Sequence, residues 1–541
     1  MPAPTGSGPF ERFVSYDIRA IQSFIFRVPK LKHISGGSAM VDEFDRDIAP
    51  GLGREHQCEV ILAAGGKGCF RSPSPAAAEQ LQRALVERAH RFGMDIRLGN
   101  ESTFELASKN ATKCHSFIPG ELDGEPCEMS GLFPVAGGGA HPSIANRASM
   151  RGTARHRRFE NELFESTNEL NALVGRPFRF LSHVSQEGER GTDRVGDAGL
   201  AALGQRHRWA VITMDGNDMG RQHAAARESD HDPIDWVKQM SKALDHCCKT
   251  AVRAGLREVF SRWSSSLSDA ERADCTVVDD DGDPSGEVVI PFRPLLIGGD
   301  DIVVLCHAHH AFDFVRKATD AWEAESRKPF NGAAPARLWP ATGGSITISA
   351  GVLFCPVNLP LHTAIAYSEA LLALAKGRGR KASSGARPSP ACIDWESVTE
   401  SVLDHPEHRR RRELEFVDSD DGNKHIRLTK RPYTLADFQK LYDSSGVTSS
   451  ASDPKGVRAL ARSVRAGLLP AMRQAKNDRL LAALRFGKRD SGFAGIIRGT
   501  DESRDDPLSW LSIDGTHTVG LLDAVAILEE CERSVGLEDL S

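Results

Sequence analysis

Residues 295–305 read Leu-Leu-Ile-Gly-Gly-Asp-Asp-Ile-Val-Val-Leu, two apolar runs on either side of a polar turn. Glycine supplies the positive φ that tight turns need, so the stretch predicts a β-hairpin with Gly298 and Gly299 at its tip. The adjacent carboxylates of Asp300 and Asp301 repel one another unless a cation neutralises them. The tip therefore predicts a divalent-metal site, and a turn capped by aspartates without metal is the alternative.

A strand that ends in a third aspartate precedes this hairpin. Residues 209–215 read Trp-Ala-Val-Ile-Thr-Met-Asp, and a palm-type sheet would place the end of this strand beside the hairpin tip. We therefore predict that Asp215, Asp300 and Asp301 are the metal ligands and the catalytic residues. Oxygen-only ligation favours Mg²⁺ or Mn²⁺, and two such ions can activate an attacking hydroxyl and stabilise the departing oxygens of a triphosphate.

Glycines and one lysine around these aspartates are predicted to bind nucleotide. Gly298 and Gly299 would let the backbone approach it, and Gly216 opens a loop, residues 216–220, whose amides lead into a helix and could hold phosphates. Asp218 in this loop is either a fourth carboxylate or a helix cap. Lys376 ends a helix predicted over 361–376, where it either contacts phosphate or stabilises the negative end of the helix.

The order strand, helix, hairpin and helix occurs twice in the chain. The first copy has a strand over 13–18, a hairpin over 60–70 and a helix over 75–92. Gly65-Gly66-Lys67-Gly68 stands in this hairpin where the second copy has Gly-Gly-Asp-Asp. We expect the first copy to bind nucleotide through Gly65 and Gly66, or to brace the site, without metal.

Length and composition indicate a multidomain globular protein. The chain has 541 residues, of which 40% are hydrophobic and 26% charged, and its net charge of −6 excludes a global basic field. No apolar run approaches the ~20 residues that span a bilayer, and the eleven cysteines contain no C-x-x-C pair. We therefore expect a cytoplasmic protein without membrane contact.

The segments between and after the two copies complete the predicted organisation, which is α+β. We predict a first, degenerate palm over 1–109, an insertion over 110–205, a second palm over 206–395 and a helical C-terminal domain over 396–541. In the insertion, Cys114, His115 and Cys127 are a candidate zinc cluster, with His141 nearby. Their spacing lacks the paired thiols of strong zinc sites, so a packed loop without metal is favoured.

Several motifs resemble one known family. The string Tyr16-Asp17-Ile18-Arg19-Ala20-Ile21-Gln22-Ser23-Phe24-Ile25-Phe26 is similar to the opening of the polymerase-like large subunit of type III CRISPR effector complexes. Residues 214–220 and the Gly-Gly-Asp-Asp tip resemble the second palm of that family, and residues 368–376 resemble its closing helix. The matching pieces span about residues 13 to 395.

The resemblance implies two ferredoxin-like palms, an intervening helical or zinc-binding insertion and a C-terminal helical bundle. It also implies an activity, the joining of ATP into cyclic oligoadenylate second messengers when guide RNA pairs with target RNA in a complex with other effector subunits. By the same resemblance Asp215, Asp300 and Asp301 would hold the metals, Gly298 and Gly299 would make room for nucleotide, and Lys376 would contact phosphate.

Departures from the family pattern keep other functions open. The first palm begins near residue 12, so we expect no histidine-aspartate nuclease domain, and Asn217 replaces an expected acidic residue. One alternative is a cyclase that makes cyclic dinucleotides, although such relatives carry glutamate where this chain has Asp301. Another is a non-catalytic scaffold that holds guide RNA and partner proteins. Arginines at 147, 151, 155, 157 and 158 and at 409–412 are candidate RNA-facing patches or solvated surfaces.

Overall fold

We obtained a computed structural model of the chain. It describes residues 11–19, 21–25, 31–113, 178–180, 208–229, 232–266, 276–278, 284–290, 292–356, 359–383, 387–399, 404–417, 425–447, 456–459, 465, 510–513 and 516–533. Of the predicted insertion, 110–205, only residues 110–113 and 178–180 are therefore described. The candidate zinc residues Cys114, His115, Cys127 and His141 and the arginines at 147–158 lie outside the described residues.

The described strands follow one another along the chain in this order: β1 Arg12–Ile18, β2 Glu59–Ala64, β3 Lys67–Ser72, β4 Ile96–Glu101, β5 Phe178–Phe180, β6 Arg208–Gly216, β7 Thr276–Val278, β8 Pro284–Ile290, β9 Phe292–Gly298, β10 Asp301–His307, β11 Ile348–Pro356, β12 Cys392–Ser397, β13 Glu415–Val417, β14 His425–Arg427, β15 Tyr433–Thr434, β16 Trp510–Ile513 and β17 Thr516–Val519.

The described α-helices are, in chain order, α1 Ile21–Ile25, α2 Leu31–Glu43, α3 Ala49–Glu55, α4 Pro75–Arg91, α5 Phe104–Lys113, α6 Met219–Arg227, α7 Pro233–Ser266, α8 Ala311–Ser326, α9 Pro335–Leu338, α10 Leu361–Ala382, α11 Pro406–Leu414, α12 Leu435–Ser445 and α13 Leu521–Arg533. A π-helix, Phe44–Ile48, joins α2 to α3. In the described part of the chain, none of the helices is long and apolar enough to cross a bilayer.

Two sheets share one topology and confirm the predicted pair of ferredoxin-like palms. The first sheet has the order β2-β3-β1-β4, and the second contains β11-β6-β10-β9 with β12 and β15 added beyond β11. In both sheets the first strand of the unit lies between the third and the fourth, which is the arrangement of a split βαβ motif. All pairings within the two four-strand units are antiparallel.

Strand β6 lies at the centre of the second palm. Residues 209–214 are all buried, as expected of a strand that is covered on both faces of the sheet. The Thr213 hydroxyl lies 2.6 Å from the Ser368 hydroxyl on α10, which fixes that helix over the sheet. A Cβ on Gly351 of β11 would lie 2.1 Å from the Ser368 carbonyl oxygen, so glycine is needed there for α10 to approach so closely.

The strand register aligns the two hairpins one residue away from the alignment that their glycine pairs suggest. Ala64 pairs with Lys67 in the first palm as Gly298 pairs with Asp301 in the second. Lys67 therefore stands at the position of Asp301, and Gly66 stands at the position of Asp300. An alignment of Gly65-Gly66-Lys67-Gly68 directly on Gly-Gly-Asp-Asp would have placed Lys67 at Asp300 instead.

A buried aspartate holds the tip of the first hairpin. Asp45 on the π-helix is 3% exposed, and its carboxyl accepts hydrogen bonds from the Tyr16 hydroxyl at 2.7 Å and the Gly66 amide at 2.6 Å. A Cβ on Gly66 would lie 1.9 Å from the Ile21 side chain. The place that Asp300 fills in the second palm is therefore packed and closed in the first.

The C-terminal region differs from the prediction of a helical domain. Among its described residues, β13, β14, β16 and β17 form a four-stranded sheet of order β13-β14-β17-β16 beside helices α11, α12 and α13. These strands are three or four residues long, too short to show an alternating pattern in the sequence. The predicted boundary after residue 395 also falls inside β12, a strand of the second-palm sheet.

Buried ion pairs attach this region to the palm. Arg410 on α11 is 2% exposed and makes a bidentate contact with Asp394 of β12, both bonds at 2.8 Å, and a third bond to Glu396 at 3.1 Å. Arg411 pairs with Glu407, and Arg412 pairs with Asp404. The basic run 409–412 is therefore engaged in ion pairs within the protein, and Arg410 does not belong to an RNA-facing surface.

The buried arginine gives a stability prediction. Arg410→Met leaves the fully buried Asp394 carboxylate without its partner, so we expect the free energy of unfolding to fall by about 3–5 kcal/mol. Arg411→Met removes the same type of residue from the same helix but breaks only an exposed pair, with an expected loss under about 0.5 kcal/mol. Urea unfolding of both variants checks this, and equal losses would contradict it.

Asp45 gives a prediction on pH. Burial raises the pKa of Asp45 to about 7, although the bonds from Tyr16 and Gly66 lower it, with smaller effects of opposite sign from Asp42 and Arg46. The folded state therefore keeps a proton that the unfolded state releases above about pH 4, so stability is lost as pH rises from 4 through 7. Asp45→Asn lacks this titration. Between pH 5 and 8 the wild type should lose about 2–3 kcal/mol relative to Asp45→Asn in urea unfolding, because the difference of one proton persists over about two pH units. Parallel stability curves would rule this out.

Candidate functional site

Asp215 and Asp301 face one another across two central strands of the second palm. Asp215 is the penultimate residue of β6 and Asp301 is the first residue of β10, and the ladder places them as direct partners. Partners in an antiparallel ladder have Cβ atoms about 5 Å apart on the same face of the sheet. The structure thus brings together two of the three predicted carboxylates by strand pairing alone.

Asp300 joins them from the hairpin turn. Gly299 has a φ of 60°, which turns the chain sharply before Asp300, and the Asp300 carbonyl accepts a hydrogen bond of 3.1 Å from the Gly216 amide. A Cβ on Gly216 would lie 2.9 Å from the Cβ of Asp300. Gly216 is therefore needed for the close approach of the two chain segments, which is a structural role beside its predicted contact with nucleotide.

The carboxylates repel one another in a partly buried setting. Burial and then the charge of Asp215 raise the pKa of Asp300 to about 6 and that of Asp301 to about 7, and Lys376 opposes both shifts. The donor set consists of oxygen atoms only, and its electrostatic cost falls when a cation binds. These are the properties of residues that fit Mg²⁺ or Mn²⁺.

Lys376 is the cation that reaches this cluster. Its ammonium donates a hydrogen bond of 2.9 Å to the Gly216 carbonyl and forms an ion pair with the Asp215 carboxylate. Within the described residues, no three His, Cys, Asp or Glu side chains are arranged as a ready set of metal ligands. One of the predicted ligands, Asp215, is engaged by the lysine instead.

The helix that carries Lys376 is longer than predicted. The sequence predicts an end before Gly377, but α10 continues through Gly377 and Gly379 to Ala382. A Cβ on Gly379 would lie 2.9 Å from the Pro390 carbonyl oxygen, so this glycine serves close packing and not helix termination. Lys376 therefore lies more than a turn inside the helix, and an interaction with the helix end does not explain its position.

The loop after β6 is fixed by side-chain hydrogen bonds. The buried Asn217 amide donates to Thr347 at 2.8 Å and to Ser349 at 3.0 Å, and its oxygen accepts a bond of 3.1 Å from the Ser349 hydroxyl. Asp218 occupies the N-cap position of α6 without a capping bond from its side chain. Its carboxylate instead accepts bonds from the amide and hydroxyl of Ser389, at 2.6 and 2.8 Å. Asp218 thus anchors a loop and is not a side-chain cap.

A cavity of about 620 Å³ opens beside the carboxylates, a volume in the range of small-molecule sites. Acidic and basic side chains both line it, and they form two ion pairs, Lys376 with Asp215 and Arg221 with Asp218. Its lining comprises Asp215, Gly216, Asn217, Asp218, Met219, Gly220, Arg221, Asp300, Lys376, Arg380, Ser383 and Ser389. The predicted nucleotide contacts Gly298, Gly299, Gly65 and Gly66 do not line this cavity.

Three residues near the site were not predicted from the sequence. Arg380 lies four residues after Lys376, and Glu369 lies seven before it, so helical periodicity could have placed both near its face of α10. The Oε1 atom of Glu369 is buried without a hydrogen-bond partner in the described structure, and its charge adds to the raised pKa of Asp301. Ser389 follows a loop and carries no signal in the sequence.

Comparison with known proteins agrees with this geometry. Residues 208–384 match the family model described as Cas10/Cmr2, second palm domain, and no curated protein matches the chain. Among solved structures, the chain is similar to the apo Csm1–Csm4 cassette with a TM-score of 0.50 and 14% identity, over 97% of this chain and 70% of the other.

Two further structures are similar at slightly lower scores. The Csm1–Csm4 cassette in complex with cA4 has a TM-score of 0.49 and 14% identity, over 97% of this chain and 70% of the other. Csm1 of T. onnurineus has a TM-score of 0.48 and 14% identity, over 96% and 70%. Residues 208–384 therefore match a Cas10/Cmr2 second palm domain, and the chain shares its fold with the apo Csm1–Csm4 cassette.

Proposed function

We propose that this chain is a metal-dependent nucleotidyltransferase that converts ATP to cyclic oligoadenylate within a type III CRISPR effector complex. The observation that carries the proposal is that Asp215 and Asp300 line a nucleotide-sized cavity in a Cas10/Cmr2 second palm, with Asp301 as the ladder partner of Asp215. The Csm1–Csm4 cassette, whose fold this chain shares, contains a second subunit. By analogy we propose partner subunits here, with guide and target RNA as the activating signal.

We assign two roles to the residues in and beside the cavity, metal binding and phosphate binding. Asp215, Asp300 and Asp301 would hold Mg²⁺ or Mn²⁺, which when bound supplies positive charge beside a triphosphate and an attacking hydroxyl. Arg380 and residues 219–221, in the first turn of α6, also line the cavity and suit the anionic oxygens of a triphosphate. The cavity therefore places metal ligands and phosphate-binding groups within the length of one nucleotide.

The first palm is proposed to hold a second nucleotide without metal. Lys67 stands across the ladder from Asp17. Burial lowers the pKa of His223 on α6, and the charges of Arg227 and Lys67 lower it further. The tip of the first palm thus lies near the helix whose first turn lines the cavity. Gly65 is exposed at this tip and open to a ligand, whereas Gly66 is buried against Ile21.

Removal of the hairpin carboxylates tests the site. Asp300→Ala with Asp301→Ala should lower product formation from ATP at least about 100-fold, since the groups that would hold the metal are gone. The melting temperature in EDTA should be equal or higher, because the repulsion between the carboxylates is relieved. Asp320→Ala, an exposed carboxylate on α8, is the control and should keep activity. Unchanged product yield in the double variant, measured by mass spectrometry, would reject this site.

Nucleotide choice separates the proposal from the cyclic-dinucleotide alternative. Adenine and guanine exchange a donor for an acceptor at one exocyclic position, so a site built for one leaves a polar group unpaired with the other. We expect ATP to be consumed at least about tenfold faster than GTP when the chain is assembled with RNA-bound partner subunits. Mass spectrometry of the products identifies the class, and faster conversion of GTP to a cyclic dinucleotide would favour the alternative.

A further inference from the structure

The contacts of Lys376 show what neutralises the carboxylate cluster when no other cation is present. Its ammonium contacts Asp215 and the Gly216 carbonyl, with the lysine side chain 19% and the aspartate side chain 30% exposed. Across the described residues, no other cation forms an ion pair with Asp215, Asp300 or Asp301. One lysine therefore faces three carboxylates, which leaves the cluster short of positive charge.

The first palm places two cations beside the aspartate that corresponds to Asp215. Asp17, the counterpart of Asp215, pairs across the ladder with Lys67 on one side and with Arg97 on the other. Burial raises the pKa of Asp17, and these two charges oppose the shift. Both cations stand on strands that pair with β1, so the register of the sheet places them beside Asp17.

In the second palm, the two ladder positions beside the aspartate hold an acidic and a neutral residue. Asp301 stands at the position of Lys67, and Ser349 stands at that of Arg97, because each is the ladder partner of Asp215. The remaining cation, Lys376, comes from a neighbouring helix on a long side chain with four rotatable carbons. Rotation of that side chain can vacate Asp215 without any change in the sheet or the helix.

We infer that Lys376 is an internal counter-ion that occupies Asp215 in the absence of a divalent cation and yields it when the cation binds. The inference rests on the proposed function for the identity of the incoming ion. The released ammonium remains at the wall of the cavity, where it can face the phosphates of a nucleotide. Metal and lysine are thus competitors for one carboxylate, and metal binding prepares the cavity for an anion.

Competition predicts that loss of the lysine charge tightens metal binding. Mn²⁺ titration of the full chain, followed by electron paramagnetic resonance without nucleotide, should give a Kd for Lys376→Gln about threefold to tenfold lower than for the wild type. Lys376→Arg keeps the charge and should stay near the wild-type value. Arg380→Gln removes an equal charge from the same cavity, but among the described residues Arg380 forms no ion pair with Asp215, so the Kd of this variant should change less than about twofold.

Amine reactivity tests the release directly on the unmodified protein. Trace acetylation measured by mass spectrometry should modify Lys376 severalfold faster with saturating Mg²⁺ than with EDTA, because the ammonium leaves its ion pair. Lys381, an exposed residue on the same helix, should react equally in both. This arm needs no variant and so decides the question even where Lys376→Gln fails to fold.

The outcomes separate this inference from the proposed function. An unchanged or higher Mn²⁺ Kd in Lys376→Gln, an equal effect of Arg380→Gln, or Lys376 reactivity that ignores Mg²⁺ would overturn the counter-ion role. Such results with normal product formation would leave the nucleotidyltransferase proposal standing. Conversely, tighter Mn²⁺ binding by Lys376→Gln in a protein that makes no product would support the counter-ion and contradict the proposed activity.

Discussion

Repulsion among three carboxylates at the end of two paired strands is the constraint on which the second palm depends. The ladder forces Asp215 and Asp301 together, and the turn adds Asp300 against the backbone of Gly216. Such an arrangement is costly in a partly buried setting, as the raised pKa values of Asp300 and Asp301 show. The fold tolerates the cost because apolar strands and helices on every other side hold the geometry, and because a lysine offsets part of the charge.

The two palms show how one topology supports opposite solutions to this constraint. In the first palm the hairpin supplies Gly66 and Lys67 where the second supplies Asp300 and Asp301. The first tip then has no carboxylate in its turn, and it is closed by Ile21 and held from inside by Asp45. The second tip is acidic and lies beside an open cavity. Two residues at equivalent positions of the hairpins thus distinguish the tips. The first is closed by its own side chains, and the second has two adjacent carboxylates beside a cavity.

The sequence alone predicts the strands that carry the site, because long apolar runs bounded by glycine and aspartate leave little choice of structure. It also predicts that Asp215 lies beside the hairpin, since the duplicated order of elements implies a palm sheet. It could not predict the partner of Lys376, which depends on the continuation of α10 past two glycines. Gly379 serves close packing against the Pro390 carbonyl, and a contact between distant segments leaves no local signal.

The C-terminal sheet and the buried Arg410 were missed for the same reason. An arginine within a basic run indicates a solvated surface unless its acidic partners are known, and its bidentate partner Asp394 lies in another predicted domain. Short strands of mixed polarity likewise depend on their neighbours for pairing. Prediction therefore succeeded where local pattern and tertiary packing agree, and it failed where packing alone decides.

The placement of Asp215 also depends on residues beyond the palm itself. At the start of β6, Arg208 donates to the Phe354 and Val398 carbonyls and pairs with the buried Glu530 of α13 at 3.2 Å. At its other end, Asn217 bonds to Ser349, whose hydroxyl accepts a bond from the Cys392 amide of β12. Both ends of β6 are thus held by β12 or by α13. Arg410 in turn anchors β12 through Asp394. The position of the carboxylates therefore depends on contacts with α11 and α13 as well as on the palm itself.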